Sequence, residues 1–171
     1  MTRDPIDMLM AQLGETVLEQ IRFRDELTLI LPIDGLLAAL QAARASGFSL
    51  LSDLTAVDRY PATPRFEVVY HLTAPDARSK IRLKARIEET RASIPSATPV
   101  WPGANWLERE VYDLYGIRFD GHPDLKRILM PDDWEGYPLR KDFPLTEEPV
   151  GFIGHTPKVP SHIIPKSPPK S

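Results

Sequence analysis

"RFEVVYHLTAPDARSKIRLKARIE", residues 65–88, decides the fold. In its second half Ile81, Leu83, Ala85 and Ile87 alternate with Arg82, Lys84 and Arg86. A strand turns successive side chains to opposite faces, so this spacing predicts one buried face and one solvated, basic face. The first half, "RFEVVYHLTA", predicts a second strand, and "PDAR" between them predicts a hairpin turn.

The neighbouring segments fill in the architecture. "FSLLSDLTAVDRY" is strand-like, with Pro61 and Pro64 marking the turn that follows. "IDGLLAALQAARASG" is the best helix, with Asp34 in its first turn and Gly47 where a C-terminal glycine belongs. "TVLEQIRFRDELTLILP" predicts two short strands turning near Arg24-Asp25-Glu26, and residues 4–13 predict a short amphipathic helix. The sum is an α+β fold: a small antiparallel or mixed sheet with helices on one face, followed by an extended proline-rich C-terminal arm. Of 18 prolines, nine fall between Pro131 and Ser171, where helices and central strands are therefore disfavoured. The expected division is an α+β domain at 1–120, an extended partner-binding arm at 121–149 and a flexible tail at 150–171.

Composition narrows the function. The 21 basic and 24 acidic side chains give a formal charge of −3, which is not the footprint of a nucleic-acid binder. With no cysteine, disulfides, thiolate zinc sites and cysteine-ligated clusters are excluded. The N-terminus does not read as a signal peptide, and no apolar run has the length of a membrane span.

One stretch is denser in acids, bases and aromatics than the rest. "EREVYDLYGIRF", residues 108–119, lies in a segment that predicts a helix from about Asn105 to Gly116. Asn105 and Glu108 have capping-box spacing, and Gly116 is placed to end the helix. Leu107, Val111 and Leu114 predict a core-facing stripe, with Arg109 and Asp113 paired one turn apart. The following "DGHPDLKRILMPDDWEGYPLRKDFPL" has no periodicity yet carries Trp134, Tyr137 and Phe143. Such a loop is expected to be ordered only against a surface, here expected on another chain. Arg127 and Arg140 are expected to make charge-assisted bonds to carboxylates across or beside that interface. Glu108, Glu110, Asp113, Asp120, Asp124, Asp132, Asp133 and Asp142 are candidate acids and leave an acid–base pair open, but carboxylates are abundant throughout and the signal is weak. The four histidines form no metal motif, and His122 reads as a turn histidine bonded to nearby backbone.

Residues 108–145, "EREVYDLYGIRFDGHPDLKRILMPDDWEGYPLRKDFPL", strongly resemble the signature of the thirty-kilodalton subunit family of respiratory complex I, whose bacterial members are the C subunits of NADH:quinone oxidoreductases. The resemblance extends more loosely back to about residue 15. It implies a cofactor-free component of the peripheral arm, within a translocase that uses FMN, iron–sulfur clusters, NADH and a quinone. It implies partners: the forty-nine-kilodalton-type quinone-site subunit, known in bacteria as the D subunit, and other connecting subunits. Membrane contact would come only through the complex, at the cytoplasmic face of the bacterial inner membrane. The motif positions Glu108, Arg109, Glu110, Asp113, Tyr115, Gly116, His122, Pro123, Arg127, Trp134, Arg140, Lys141 and Asp142 would then be partner-binding and structural, with no catalytic, cofactor or metal residue in this chain. The sequence ends at Ser171, so the quinone-site partner is expected to be a separate polypeptide. A homologous subunit of a membrane-bound hydrogenase or formate hydrogenlyase-type complex is the alternative. A stand-alone carboxylate-based hydrolase is a distant one.

Overall fold

The computed structural model describes residues 4–144. The tail expected at 150–171, and the end of the arm before it, lie outside them. Seven strands and three helices follow in order: α1 (Pro5–Leu13), β1 (Glu19–Phe23), β2 (Glu26–Leu31), α2 (Leu36–Ala45), β3 (Leu50–Asp58), β4 (Phe66–Ala74), β5 (Ser79–Ile87), β6 (Ser93–Pro95), α3 (Ala104–Tyr115) and β7 (Arg118–Asp120).

The main sheet has the order β1-β2-β5-β4-β3. Only the β2–β5 pairing in it is parallel, so the sheet is mixed. The hairpin of residues 65–88 supplies its centre. Register places Ile81, Leu83, Ala85 and Ile87 beside Leu72, Tyr70, Val68 and Phe66. Leu27, Leu29 and Leu31 extend this row on β2, and Leu54 and Ala56 on β3. All of these are buried. Leu9 and Leu13 of α1, Leu36 and Leu40 of α2, and Val111 of α3 belong to the same apolar cluster. The helices thus cover one face, as the alternation requires. Arg24 and Asp25 both take positive φ (48° and 64°) in the tight β1–β2 turn, the backbone that matches the twist of a two-residue hairpin.

The other face departs from expectation. Arg82, Lys84 and Arg86 are half-buried, not a free cationic stripe. Glu67, 2% exposed, receives Lys84 at 2.5 Å, Arg59 at 3.2 Å and Arg86 at 3.5 Å. Burial pushes the Glu67 pKa up, but these cations outweigh it and hold the carboxyl below its usual range. Arg82 pairs with Glu26 at 2.6 Å.

Candidate functional site

The dense stretch forms α3, and its end is as expected. Gly116 takes φ +73° and its N–H closes on the Tyr112 carbonyl at 2.9 Å. Its start is not. Gly103 precedes the first helical residue, no side chain caps it, and Asn105 lies inside the first turn. Glu108 is diverted from capping by tertiary donors. It accepts from Ser96 Oγ at 2.7 Å and from the Ala97 N–H at 2.6 Å, and none of its surface is exposed. The buried stripe is consequently Ala104, Glu108 and Val111. Leu107 packs at the edge of the core, and Leu114 is only half-buried.

The expected Arg109–Asp113 pair does not form, because both side chains reach into the next segment. Residues 121–144 run as an irregular strap back along the molecule. Asp113 is completely buried. Its Oδ2 accepts the N–H groups of Ile128, Leu129 and Met130 at 2.9, 2.7 and 2.9 Å. Its Oδ1 accepts from Arg127 at 2.8 Å. Burial alone would raise the Asp113 pKa, but these donors more than offset it and keep the carboxyl below the ordinary range. Arg109 donates to the Lys126 and Arg127 carbonyls at 3.0 Å each and lies over the Trp106 ring.

The second half of the strap is fixed just as locally. Arg140 donates to the Tyr115 carbonyl at 2.6 Å and stacks on Tyr137 and Phe66. Tyr137 lies so close to Gly116 that a Cβ there would sit 2.5 Å from its ring. Trp134 stacks on Phe143. Arg127 also reaches the Gly136 carbonyl at 3.1 Å. The expectation is a carboxylate across or beside an interface for both Arg127 and Arg140. The carboxylate of Arg127 is Asp113 of its own chain, whereas Arg140 is held by a carbonyl and two rings.

The strap ends on a buried arginine. Arg65, 4% exposed, grips Asp58 through two bonds of 3.0 and 2.8 Å, Asp142 through two of 3.0 and 2.6 Å, and Glu89 at 2.6 Å. The Lys141 N–H adds a bond to Asp58 at 2.9 Å. Burial would raise the Asp58 pKa, but Arg65 and the N–H groups of Lys141 and Tyr60 bring it down to about 2. Arg65 also draws the Asp142 carboxyl below its usual value. Asp58, Arg65, Glu89 and Ser96 carry no mark in the sequence. Arg65 stands between Pro64 and Phe66, at a strand start where no periodic pattern marks it.

His122 is the turn histidine expected. Its Nδ1 accepts the Asp124 N–H at 3.0 Å, which leaves Nε2 to donate to the Asn105 carbonyl at 3.2 Å. Glu110 and Pro123 are exposed.

Burial lifts Glu108 to about 7, a useful value for general acid work, but no substrate can touch a side chain with no exposed surface. Among the described residues, no three histidine or carboxylate side chains converge as a metal-binding group. Large apolar side chains also face outward beside the exposed charges of these elements: Trp106 (58% exposed), Ile128 (38%), Leu129 (60%) and Leu139 (50%).

The profile of the family described as "Respiratory-chain NADH dehydrogenase, 30 Kd subunit" matches residues 30–149, which include all of α3 and the strap. The chain belongs to this family. Its relatives within it include the C subunit of NADH-quinone oxidoreductase from Roseiflexus sp. (strain RS-1), 42% identical over 160 residues and 92% of each chain. The C subunit from Moorella thermoacetica is 50% identical over 121 residues, 70% of this chain and 81% of that one. Among solved structures, a trypsin-resistant fragment of Nqo5 superposes with a TM-score of 0.65 at 31% identity, covering 71% of this chain and 99% of the fragment. A chain of the membrane-bound sulfane sulfur reductase, an archaeal respiratory membrane complex, superposes with a TM-score of 0.71 at 28% identity, covering 82% and 84%. Within the matched region, Arg109, Asp113, Arg127 and Arg140 pin the strap to α3, and Asp142 ties it to Arg65 of the sheet.

Proposed function

We propose that this chain is a non-catalytic subunit in the peripheral arm of a proton-translocating NADH:quinone oxidoreductase. α3 and the strap form the face that seats against the quinone-site subunit, at the cytoplasmic side of the membrane. The observation that carries this reading is the division of labour in the motif. Arg109, Asp113, Arg127 and Arg140 turn inward and fix the strap, while Trp106, Ile128, Leu129 and Leu139 stay exposed on these elements. Tryptophan and arginine are favoured at interface centres, exposed aliphatics add apolar area to bury, and rigidity lowers the ordering cost of docking. Family membership and the names of the relatives support the assignment to this complex. No helix among the described residues is long and apolar enough to cross a membrane; on this reading membrane contact comes through the complex.

The test is affinity purification of the tagged chain from mildly solubilised membranes. We expect a quinone-site subunit together with flavin- and NADH-binding chains. A tagged chain that elutes alone would overturn the assignment. The likeness to a chain of the archaeal sulfane sulfur reductase favours a second reading, a subunit of a related membrane complex with another electron donor or acceptor. Recovery of a quinone-site-like subunit without flavin- and NADH-binding chains would select it.

A further inference from the structure

Glu108 and Asp113 lie on one helix, and neither exposes any surface. Their surroundings differ in kind. Asp113 faces a guanidinium and three backbone N–H groups. Glu108 faces only the neutral donors Ser96 Oγ and Ala97 N–H. No described cation reaches it from the elements packed around it. Arg109, its neighbour on α3, is turned to the Lys126 and Arg127 carbonyls. Arg127 is spent on Asp113. His122 is bonded to the Asn105 carbonyl and accepts the Asp124 N–H on its other nitrogen. From the 96–101 segment come Ser96, bonded also to Thr98, and the uncharged Trp101. From β4 comes Tyr70, completely buried, its hydroxyl unpartnered among the described residues. Burial, and then the field of Glu108, oppose ionisation of that phenol. An ionised carboxylate in such a pocket is disfavoured against the neutral acid.

We propose that Glu108 is a buried proton-holding site, and that losing its proton to solvent loosens the seating of α3 on the 96–101 segment and on the sheet. There α3 packs on β3, whose one buried acid, Asp58, is held by Arg65. The consequence reaches the strap, because Arg109 and Asp113 of the same helix hold it. The proposed docking face then responds to pH, whatever partner occupies it. Burial, only partly offset by Ser96 and Ala97, raises the carboxyl to about 7. A group whose folded value is raised contributes stability that is full below its unfolded value of 4.5 and is lost as pH rises through about 7. Asp58, Glu67, Asp113 and Asp142 are all shifted downward, so their contributions fade only at acid pH. The two effects occupy separate windows.

The test compares the full chain with Glu108→Gln by amide hydrogen exchange at residues 111–113 and 128–130, corrected for intrinsic pH dependence. One proton released per opening changes the equilibrium about tenfold per pH unit, so wild-type protection is expected to fall about 100-fold between about pH 5 and 7. The glutamine variant should not show this fall. Parallel profiles for the two proteins would overturn the proposal. A carbon-13 NMR titration of glutamate carboxyls in the wild-type chain decides the matter if the variant does not fold. One carboxyl with a midpoint near 7 supports the site, and titration of every glutamate below about pH 5.5 refutes it.

Discussion

Asp113 is the residue on which the strap depends most. Three consecutive N–H groups converge on one oxygen and a guanidinium on the other. Asparagine preserves the shape but removes the charge that Arg127 needs and can present N–H groups to those same donors. Removing one partner of a buried pair costs about 3–5 kcal/mol. Asp113→Asn is therefore expected to lower unfolding stability by about that much in a urea titration near neutral pH. The deficit should shrink on acidification, because the wild-type carboxyl has a depressed value and loses its advantage as it becomes protonated. A deficit independent of pH would mean that shape, not charge, anchors the strap. The sequence pointed to Glu108, Arg109, Asp113 and Arg127 but not to their roles. Asn105 and Glu108 satisfy the spacing of a capping box, yet Ser96 and Ala97, 12 and 11 residues upstream, take the glutamate. Local spacing cannot register a competitor that arrives through tertiary folding.

Elements were legible where their pattern is self-contained. Period two in residues 81–87 was enough to define the buried face of β5. The face of α3 was misplaced because a stripe defined by apolar residues passes over a buried acid. Gly116 illustrates the remaining gap. Its helix-ending role follows from residue type, whereas its contact with Tyr137, 21 residues on, follows from nothing local. Gly116→Ala is expected to do two kinds of damage. A non-glycine residue at φ +73° is strained by roughly 1–2 kcal/mol, and the new methyl must displace the Tyr137 ring. Tyr137 stacks with Arg140, so the second half of the strap should move with it. Tryptophan fluorescence should report this through Trp134, and Asn at 116, which tolerates the left-handed region, should not rescue it. Full rescue by Gly116→Asn would show that backbone strain alone matters.

At the scale of the molecule, the strap ties α3, at its first half, to the sheet, which it reaches through Arg65 at its last. Arg65 bridges three carboxylates from separate segments, a task for a planar five-donor fork that lysine cannot perform. Arg65→Lys should leave the body folded and raise tryptic cleavage at Arg140 and Lys141. Unchanged cleavage would assign the anchoring to the aromatic contacts. The strap's own contacts also redraw what a docking test must look like. Arg127 is intramolecular, so Arg127→Ala is expected to destabilise the isolated chain as well as lower assembly. Leu129 and Leu139 have the opposite profile. They are more than half or half exposed, so Leu129→Asp and Leu139→Asp should change the stability of the isolated chain by no more than about 0.5 kcal/mol. If each buries its side chain against a partner, the loss of about 1.5–3 kcal/mol of apolar burial alone weakens that contact by roughly 10- to 100-fold. Complex abundance on a native gel should drop for both leucine variants, while NADH:quinone turnover per assembled complex stays near normal. Normal abundance with collapsed turnover would move these side chains from docking to chemistry. Normal abundance and normal turnover together would free this face of any partner and send the search to the opposite side of the sheet.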